Sequence, residues 1–173
     1  MLEIGCGTGG GTGVLAQLVG PSGAVLAVGE DHESVRFARR RYAAANVGFE
    51  LAGSPRKIPG EPDGAFEAVI AIDQTGGFRA TEARQAIADL WRLVRPGGWL
   101  LLSERDPGAS RLDPMADPDT RDAIDVVRKA CADVTDVEAV GGHGEITAFA
   151  TRGHEPRVSG SDEAEPGAQG PAA

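Results

Sequence analysis

A run of glycines follows directly after a short apolar segment at the start of the chain. The segment Leu2-Glu3-Ile4 leads into Gly5-Cys6-Gly7-Thr8-Gly9-Gly10-Gly11, and helix-forming residues begin near Gly13. Glycines between a buried strand and a helix let the backbone turn sharply and approach a ligand with no Cβ in the way. The N–H groups that begin the helix then point at a polar or anionic part of that ligand. The pattern predicts a strand–loop–helix unit whose loop binds a ligand.

Apolar runs and helical periodicity alternate along the rest of the chain. The predicted strands are Met1–Ile4, Ala24–Val28, Val47–Ala52, Ala65–Ile72, Trp99–Ser103, Thr135–Val140 and Glu145–Thr151. The predicted helices are Gly13–Val19, Glu33–Ala45, Thr81–Val94 and Thr120–Ala132. This alternation predicts an α/β fold, a doubly wound and mostly parallel sheet closed by an antiparallel β-hairpin. Ligands of such sheets bind at the carboxyl ends of the strands, near the point where the strand order reverses.

Composition and net charge limit the binding partners and the cellular location that we expect for this chain. The net charge of −9 argues against nucleic acid and anionic membranes as partners. No apolar run approaches the roughly 20 residues of a membrane helix, and no signal peptide is apparent. Cys6 and Cys131 are far apart without metal-ligand spacing, so we expect free thiols, no metal site and a cytoplasmic protein. Residues 153–173 consist mainly of glycine, proline, serine and acids, and they predict a disordered tail after a domain spanning residues 1–152.

Two interpretations of the glycine loop compete. Gly5, Gly7 and Gly10 satisfy the G-x-G-x-x-G fingerprint of dinucleotide-binding proteins, which alone is a weak signal. Glu3, Gly5, Gly7 and Gly9 satisfy the pattern acid-x-Gly-x-Gly-x-Gly. A loop that faces a pyrophosphate needs no acid before its glycines, so Glu3 favours the second pattern.

That pattern resembles motif I of the class I S-adenosylmethionine-dependent methyltransferases, which have a Rossmann-like fold. The segment Phe66-Glu67-Ala68-Val69-Ile70 is similar to the fourth strand of that family. The turn in Leu93-Val94-Arg95-Pro96-Gly97-Gly98-Trp99 is more specific than the loop, and dehydrogenases do not share it. The closing hairpin also fits, and the resemblance spans residues 1–152.

The resemblance implies S-adenosylmethionine as cofactor and a set of residues that bind it. The loop residues Gly5, Cys6, Gly7, Thr8 and Gly9 would pack on the amino-acid portion of the cofactor. Glu3 would help to position the methionine ammonium, directly or through water. The pattern is most similar to the small-molecule and lipid-quinone branch of the family, so a small-molecule acceptor is expected.

At two positions where the family has an acidic residue, this sequence has a different residue. The second strand of the family normally ends in an acid that binds both ribose hydroxyls, and an ungapped alignment places Gly29 there. Glu30 follows at once and is predicted to take this role, with Asp31 as the alternative. Both acids could instead be exposed loop residues beside a weakened site. In place of an acid near the adenine, the chain has Ser54, whose hydroxyl can still accept a hydrogen bond.

The chain also starts inside its first strand, whereas the family has a helical segment before it. We therefore expect either a mis-assigned start or a truncated chain. Methyl transfer needs a general base only if the acceptor must lose a proton. Asp73, which follows the fourth strand, is the best positioned candidate for a catalytic or cofactor-contacting group, although it could equally cap a loop. The predicted function is methyl transfer to a small molecule, and the alternative is a degenerate Rossmann-like protein that binds S-adenosylmethionine or a nucleotide without turnover.

Overall fold

The computed structural model describes residues 1–52, 61–74, 81–105, 118–142 and 145–154. The strands within these ranges are β1 Leu2–Ile4, β2 Val25–Gly29, β3 Val47–Leu51, β4 Phe66–Ile72, β5 Val94–Arg105, β6 Val134–Gly142 and β7 Glu145–Arg152. The helices are α1 Gly10–Val19, α2 His32–Arg41, α3 Ala83–Trp91 and α4 Pro118–Ala130. None of the helices in the described ranges is long and apolar enough to cross a membrane.

The strands form one sheet in the order β3-β2-β1-β4-β5-β7-β6. Strands β1 to β5 are mutually parallel, and β7 is antiparallel to both β5 and β6. The predicted α/β fold, a mostly parallel sheet closed by an antiparallel hairpin, is therefore confirmed. The chain leaves β1 toward β2 on one side and later returns to β4 on the other side. The strand order thus reverses between β1 and β4, which is where a sheet of this kind binds its ligand.

The sheet buries apolar side chains on both faces, because successive side chains of a strand point to opposite sides. The larger core covers the face that packs on α3 and α4, and it includes Leu2, Ile4, Val28, Val69, Leu100 and Leu102. The smaller core lies on the other face beneath α2, and it contains Cys6, Ala27, Val35, Ala38 and Phe49. Burial of each large aliphatic side chain contributes about 1.5–3 kcal/mol, and this fixes the register of the strands.

The boundary between α3 and β5 differs from the prediction. Helix α3 ends at Trp91 instead of Val94, and β5 begins at Val94 instead of Trp99. Val94 already pairs with Phe66, and regular pairing resumes at Ala68 with Trp99, so the intervening turn bulges out of the ladder. Gly97 in this turn has a φ of +76°, a conformation that glycine adopts without strain.

The other helices also differ from the prediction at their ends. Helix α1 begins at Gly10 instead of Gly13, and the side chain of Leu18 near its end is 75% exposed. Thr12 is the buried residue of α1, since it pairs with a buried acid described below. Helix α2 ends at Arg41, before the predicted end at Ala45. Ser54, the hairpin residues 143–144 and the tail from residue 155 lie outside the described residues.

Candidate cofactor site

The glycine loop between β1 and α1 has three residues in the left-handed region of backbone space. The φ angles of Gly5, Gly7 and Gly9 are +88°, +50° and +86°. Side-chain-bearing residues rarely adopt such angles, because their Cβ approaches the neighbouring carbonyl oxygen. The alternating glycines of the motif are therefore required by the path of the backbone.

The surroundings of these glycines show which side of the loop is open. A Cβ on Gly5 would lie 2.6 Å from Nε2 of Gln74, and a Cβ on Gly9 would lie 2.8 Å from the ring of Tyr42. A Cβ on Gly7 would meet no described atom within 4 Å. The loop thus packs on protein at two glycines and presents bare backbone to open space at the third. A cradle of this kind fits a ligand that lies directly against the main chain.

Backbone hydrogen bonds hold the loop against the second strand. The N–H groups of Gly5 and Cys6 both donate to the carbonyl oxygen of Val28, at 2.9 and 3.1 Å. The N–H of Gly9 donates to the carbonyl oxygen of Cys6 at 2.8 Å. These bonds anchor the start of the loop to the end of β2.

The acid before the glycines faces the helix rather than the loop crevice. Glu3 lies between two core residues of β1, so its side chain points to the opposite face of the sheet, and only 3% of it is exposed. The Thr12 hydroxyl donates a hydrogen bond to its carboxylate, and Oε1 lies 2.8 Å from the position of a Cβ on Gly11. Burial raises the pKa of Glu3, and the hydrogen bond from Thr12 partly offsets this. Glu3 is placed beneath the first turn of α1, where the helix dipole favours an acid.

The carboxyl end of β2 has no room for the acid that the family places there. Gly29 is buried, and a Cβ on it would lie 2.7 Å from Cγ2 of Val35 and 3.0 Å from Sγ of Cys6. Burial and the nearby charge of Glu3 raise the pKa of the Cys6 thiol to about 11, so the thiol is neutral at physiological pH. Cys6 thus acts here as a small apolar group that fills space.

The two acids after Gly29 have different surroundings. Asp31 is the N-cap of α2 and accepts a hydrogen bond from the Ser34 N–H at 2.7 Å, which holds the pKa of Asp31 below its usual range. Glu30 is exposed and makes no hydrogen bond to any other described residue. Of the two candidates for the ribose hydroxyls, Glu30 is therefore the one whose two carboxylate oxygens both lack a hydrogen-bond partner among the described residues.

The predicted residue at the end of β4 forms an ion pair across the sheet. Asp73 has a φ of +53°, and its N–H donates to the carbonyl oxygen of Ser103 at 2.8 Å. Its carboxylate accepts from the backbone N–H of Arg105 at 2.9 Å and from the guanidinium at 2.7 Å. These bonds hold the pKa of Asp73 below its usual range.

Two further polar residues at this edge were not among the predicted site residues. The Gln74 N–H donates to Oε1 of Glu104 at 2.9 Å, and Glu104 is only 2% exposed at the end of β5. The sequence signal that could have identified Glu104 is its spacing, because it lies two residues after Leu102 and four after Leu100, on the buried face of the strand. Gln74 lacks such a signal, because its importance comes from its position above Gly5.

The sheet order and the glycine loop at its switch point together define a Rossmann-like cofactor-binding protein. The methyltransferase domain family matches residues 1–98 of the 173 residues, so the chain belongs to that family. This membership confirms the resemblance on which the predicted cofactor, S-adenosylmethionine, was based.

Individual relatives are similar over part of their length. A fatty-acid O-methyltransferase of Mycolicibacterium smegmatis is 29% identical over 107 residues, which cover 62% of this chain and 37% of that protein. The ubiquinone/menaquinone biosynthesis C-methyltransferase UbiE of Pasteurella multocida is 31% identical over 108 residues, which cover 60% of this chain and 39% of that protein. The chain thus matches less than half the length of these relatives.

A solved structure shares the fold. A SAM-dependent methyltransferase from Aquifex aeolicus aligns with a TM-score of 0.62 at 20% identity. The alignment covers 86% of this chain and 79% of that protein. Similarity at this level of identity shows the shared architecture, and the site must be argued from the residues of this chain.

Proposed function

We propose that this protein transfers the methyl group of S-adenosylmethionine to a small-molecule acceptor. The observation that carries the proposal is the glycine loop at the strand-order reversal, whose backbone is open at Gly7. The acceptor class is supported by the names of two relatives, a fatty-acid O-methyltransferase and a ubiquinone/menaquinone biosynthesis C-methyltransferase. Ile72, which is 44% exposed at the carboxyl end of β4, offers an apolar contact to such an acceptor.

The roles of the binding residues follow from their surroundings. The backbone from Gly5 to Gly9, including Cys6 and Thr8, forms the surface for the amino-acid portion of the cofactor. Glu3 supports this loop from beneath α1. Glu30 has free carboxylate oxygens for the ribose hydroxyls, whereas Asp31 is already engaged as a helix cap. Ser54 remains a predicted adenine contact.

The chain contributes mainly by positioning the reactants. S-adenosylmethionine, when bound, supplies a methyl group on a sulfonium that is already a good leaving group. Holding donor and acceptor at attack distance then provides most of the acceleration. Asp73 is a weak proton acceptor, because Arg105 stabilises its charged form. We therefore assign Asp73 to the organisation of the acceptor side of the site. Its contact with the cofactor stays a prediction.

A thermal-shift measurement with S-adenosylhomocysteine, with NAD as the control ligand, tests the cofactor. A ligand present at about 100 times its dissociation constant adds roughly 2.7 kcal/mol of stability. For a domain of this size, the melting temperature should rise by about 5 °C or more. A rise with NAD alone would refute the proposal in favour of a dinucleotide site.

A transfer assay tests the acceptor class. The full chain is incubated with S-adenosylmethionine labelled in its methyl group, together with either a small-molecule extract or a protein extract. Label that appears in the small-molecule extract supports the proposal, and label only in protein contradicts the acceptor class. Binding of S-adenosylhomocysteine without any transfer would favour the alternative of a binding protein that lacks turnover. The variant Gly5→Ala serves as the negative control, because its Cβ would collide with Gln74 and Ile72.

A further inference from the structure

The crevice between the carboxyl ends of β1 and β4 has fewer free acceptors than the sequence suggests. The carboxylate of Glu3 lies beneath α1 and accepts from Thr12. Both carboxylate oxygens of Asp73 accept from Arg105. The carboxylate of Glu3 is thus placed under the first turn of α1, and each carboxylate oxygen of Asp73 already accepts a hydrogen bond.

Gln74 differs from these acids. Its side-chain Nε2 donates to the carbonyl oxygens of Ile72 at 2.9 Å and of Asp73 at 3.1 Å. These two acceptors fix the orientation of the amide, because a flipped amide would place its oxygen against two carbonyl oxygens. The side-chain oxygen Oε1 accepts no hydrogen bond from any residue that the structure describes.

The position of Gln74 is set by the ends of two strands. Its N–H donates to the buried carboxylate of Glu104, and the preceding N–H, of Asp73, donates to the Ser103 carbonyl oxygen. The side chain consequently lies against Gly5, with Nε2 2.6 Å from the position that a Cβ on this glycine would occupy. The side-chain amide of Gln74 is thus fixed beside Gly5, the first glycine of the loop, at the point where the strand order reverses.

We infer that the side-chain oxygen of Gln74 accepts a hydrogen bond from the ammonium group of the methionine portion of the cofactor. Glu104 is the positioning residue that holds Gln74 in place. The inference rests on the proposed function. An amide oxygen only accepts, and an ammonium group carries three donors, so the two are complementary. A hydrogen bond to a charged donor is also stronger than one between neutral groups.

Calorimetric titration of the full chain with two ligands tests this role. S-adenosylhomocysteine carries the amino-acid portion, and 5′-methylthioadenosine has the same nucleoside and thioether without the amino-acid portion. Gln74→Met keeps the length of the side chain and removes the acceptor. We expect this variant to bind S-adenosylhomocysteine about tenfold more weakly or worse. Its affinity for 5′-methylthioadenosine should change by less than about twofold.

Two further variants serve as controls. Gln74→Asn keeps the amide, with its acceptor oxygen and its two donors, on a side chain that is one methylene shorter, so it should retain more of the affinity for S-adenosylhomocysteine than Gln74→Met does. Gln85→Met makes the same change on the exposed face of α3, where Gln85 bonds Asp89, and should leave both affinities unchanged.

If Gln74→Met lost the same affinity for both ligands, the role of Gln74 would be merely structural and the inference would be overturned. Unchanged affinity for both ligands would overturn it as well. Wild-type protein that binds neither ligand would instead refute the proposed function.

Discussion

The Thr12 hydroxyl donates a hydrogen bond to the carboxylate of Glu3, and this pair joins the first strand to the first turn of α1 in the protein interior. Because burial raises its pKa above the ordinary value of 4.5, Glu3 binds a proton more tightly in the folded chain than in the unfolded chain. The free energy of unfolding contributed by Glu3 therefore falls as the pH rises from about 4.5 through the raised pKa.

The variant Glu3→Gln removes this dependence. Its melting temperature relative to wild type should increase as the pH rises from about 4.5 and level off above the raised pKa of Glu3, because the neutral amide is not penalised by burial. Thermal unfolding in a series of buffers measures the difference. Melting curves of the two proteins that shift in parallel over this range would contradict the assignment.

The pair of Asp73 and Arg105 predicts the opposite pH dependence. The pKa of Asp73 is lowered below its ordinary value of 3.8, so its stabilising effect is present above that value and is lost as the pH falls through the lowered pKa. Asp73→Asn should therefore lose less stability than wild type between pH 4 and pH 2. Acid unfolding followed by circular dichroism tests this prediction. Arg105→Met should show the same reduced loss, and a variant that still loses as much as wild type would refute the ion pair.

Much of the fold follows from patterns that are local in the sequence. The alternation of apolar runs and amphipathic segments predicted each strand found in the described ranges, and the positive φ angles of Gly5 and Gly9 follow from the motif. The surroundings of the acids could not be predicted in this way. Glu3 and Arg105 acquire their roles from contacts with residues 9 and 32 positions away, which only the folded chain brings together.

Gly29 provides a third prediction, because its missing acid can be restored. Gly29→Asp should reduce the free energy of unfolding by about 1–3 kcal/mol, since its Cβ would overlap Val35 and Cys6. The double variant with Val35→Ala should recover part of this loss and bind S-adenosylhomocysteine more tightly than Val35→Ala alone. Urea unfolding and calorimetry of the four proteins in this cycle give the coupling energy. Strictly additive effects would contradict the packing described.

Glycines of one loop should respond differently to the same substitution. Gly5→Ala should lower the free energy of unfolding by about 2 kcal/mol or more, because φ is +88° and the Ile72 carbonyl oxygen lies 2.9 Å from the new Cβ. Gly10→Ala meets no described atom within 4 Å in the first turn of α1 and should raise stability by roughly 0.5 kcal/mol. Urea unfolding distinguishes the two, and equal effects would refute the loop geometry.

The antiparallel strand β7 lies between β5 and β6, although it follows both of them in the chain. During translation, β6 leaves the ribosome before the strand that must separate it from β5. The parallel half of the sheet can therefore assemble on the nascent chain, while α4 and β6 have to wait for residues 145–152. A polypeptide released before this point would expose the edge of β5, and a chaperone or a second nascent chain could pair with it.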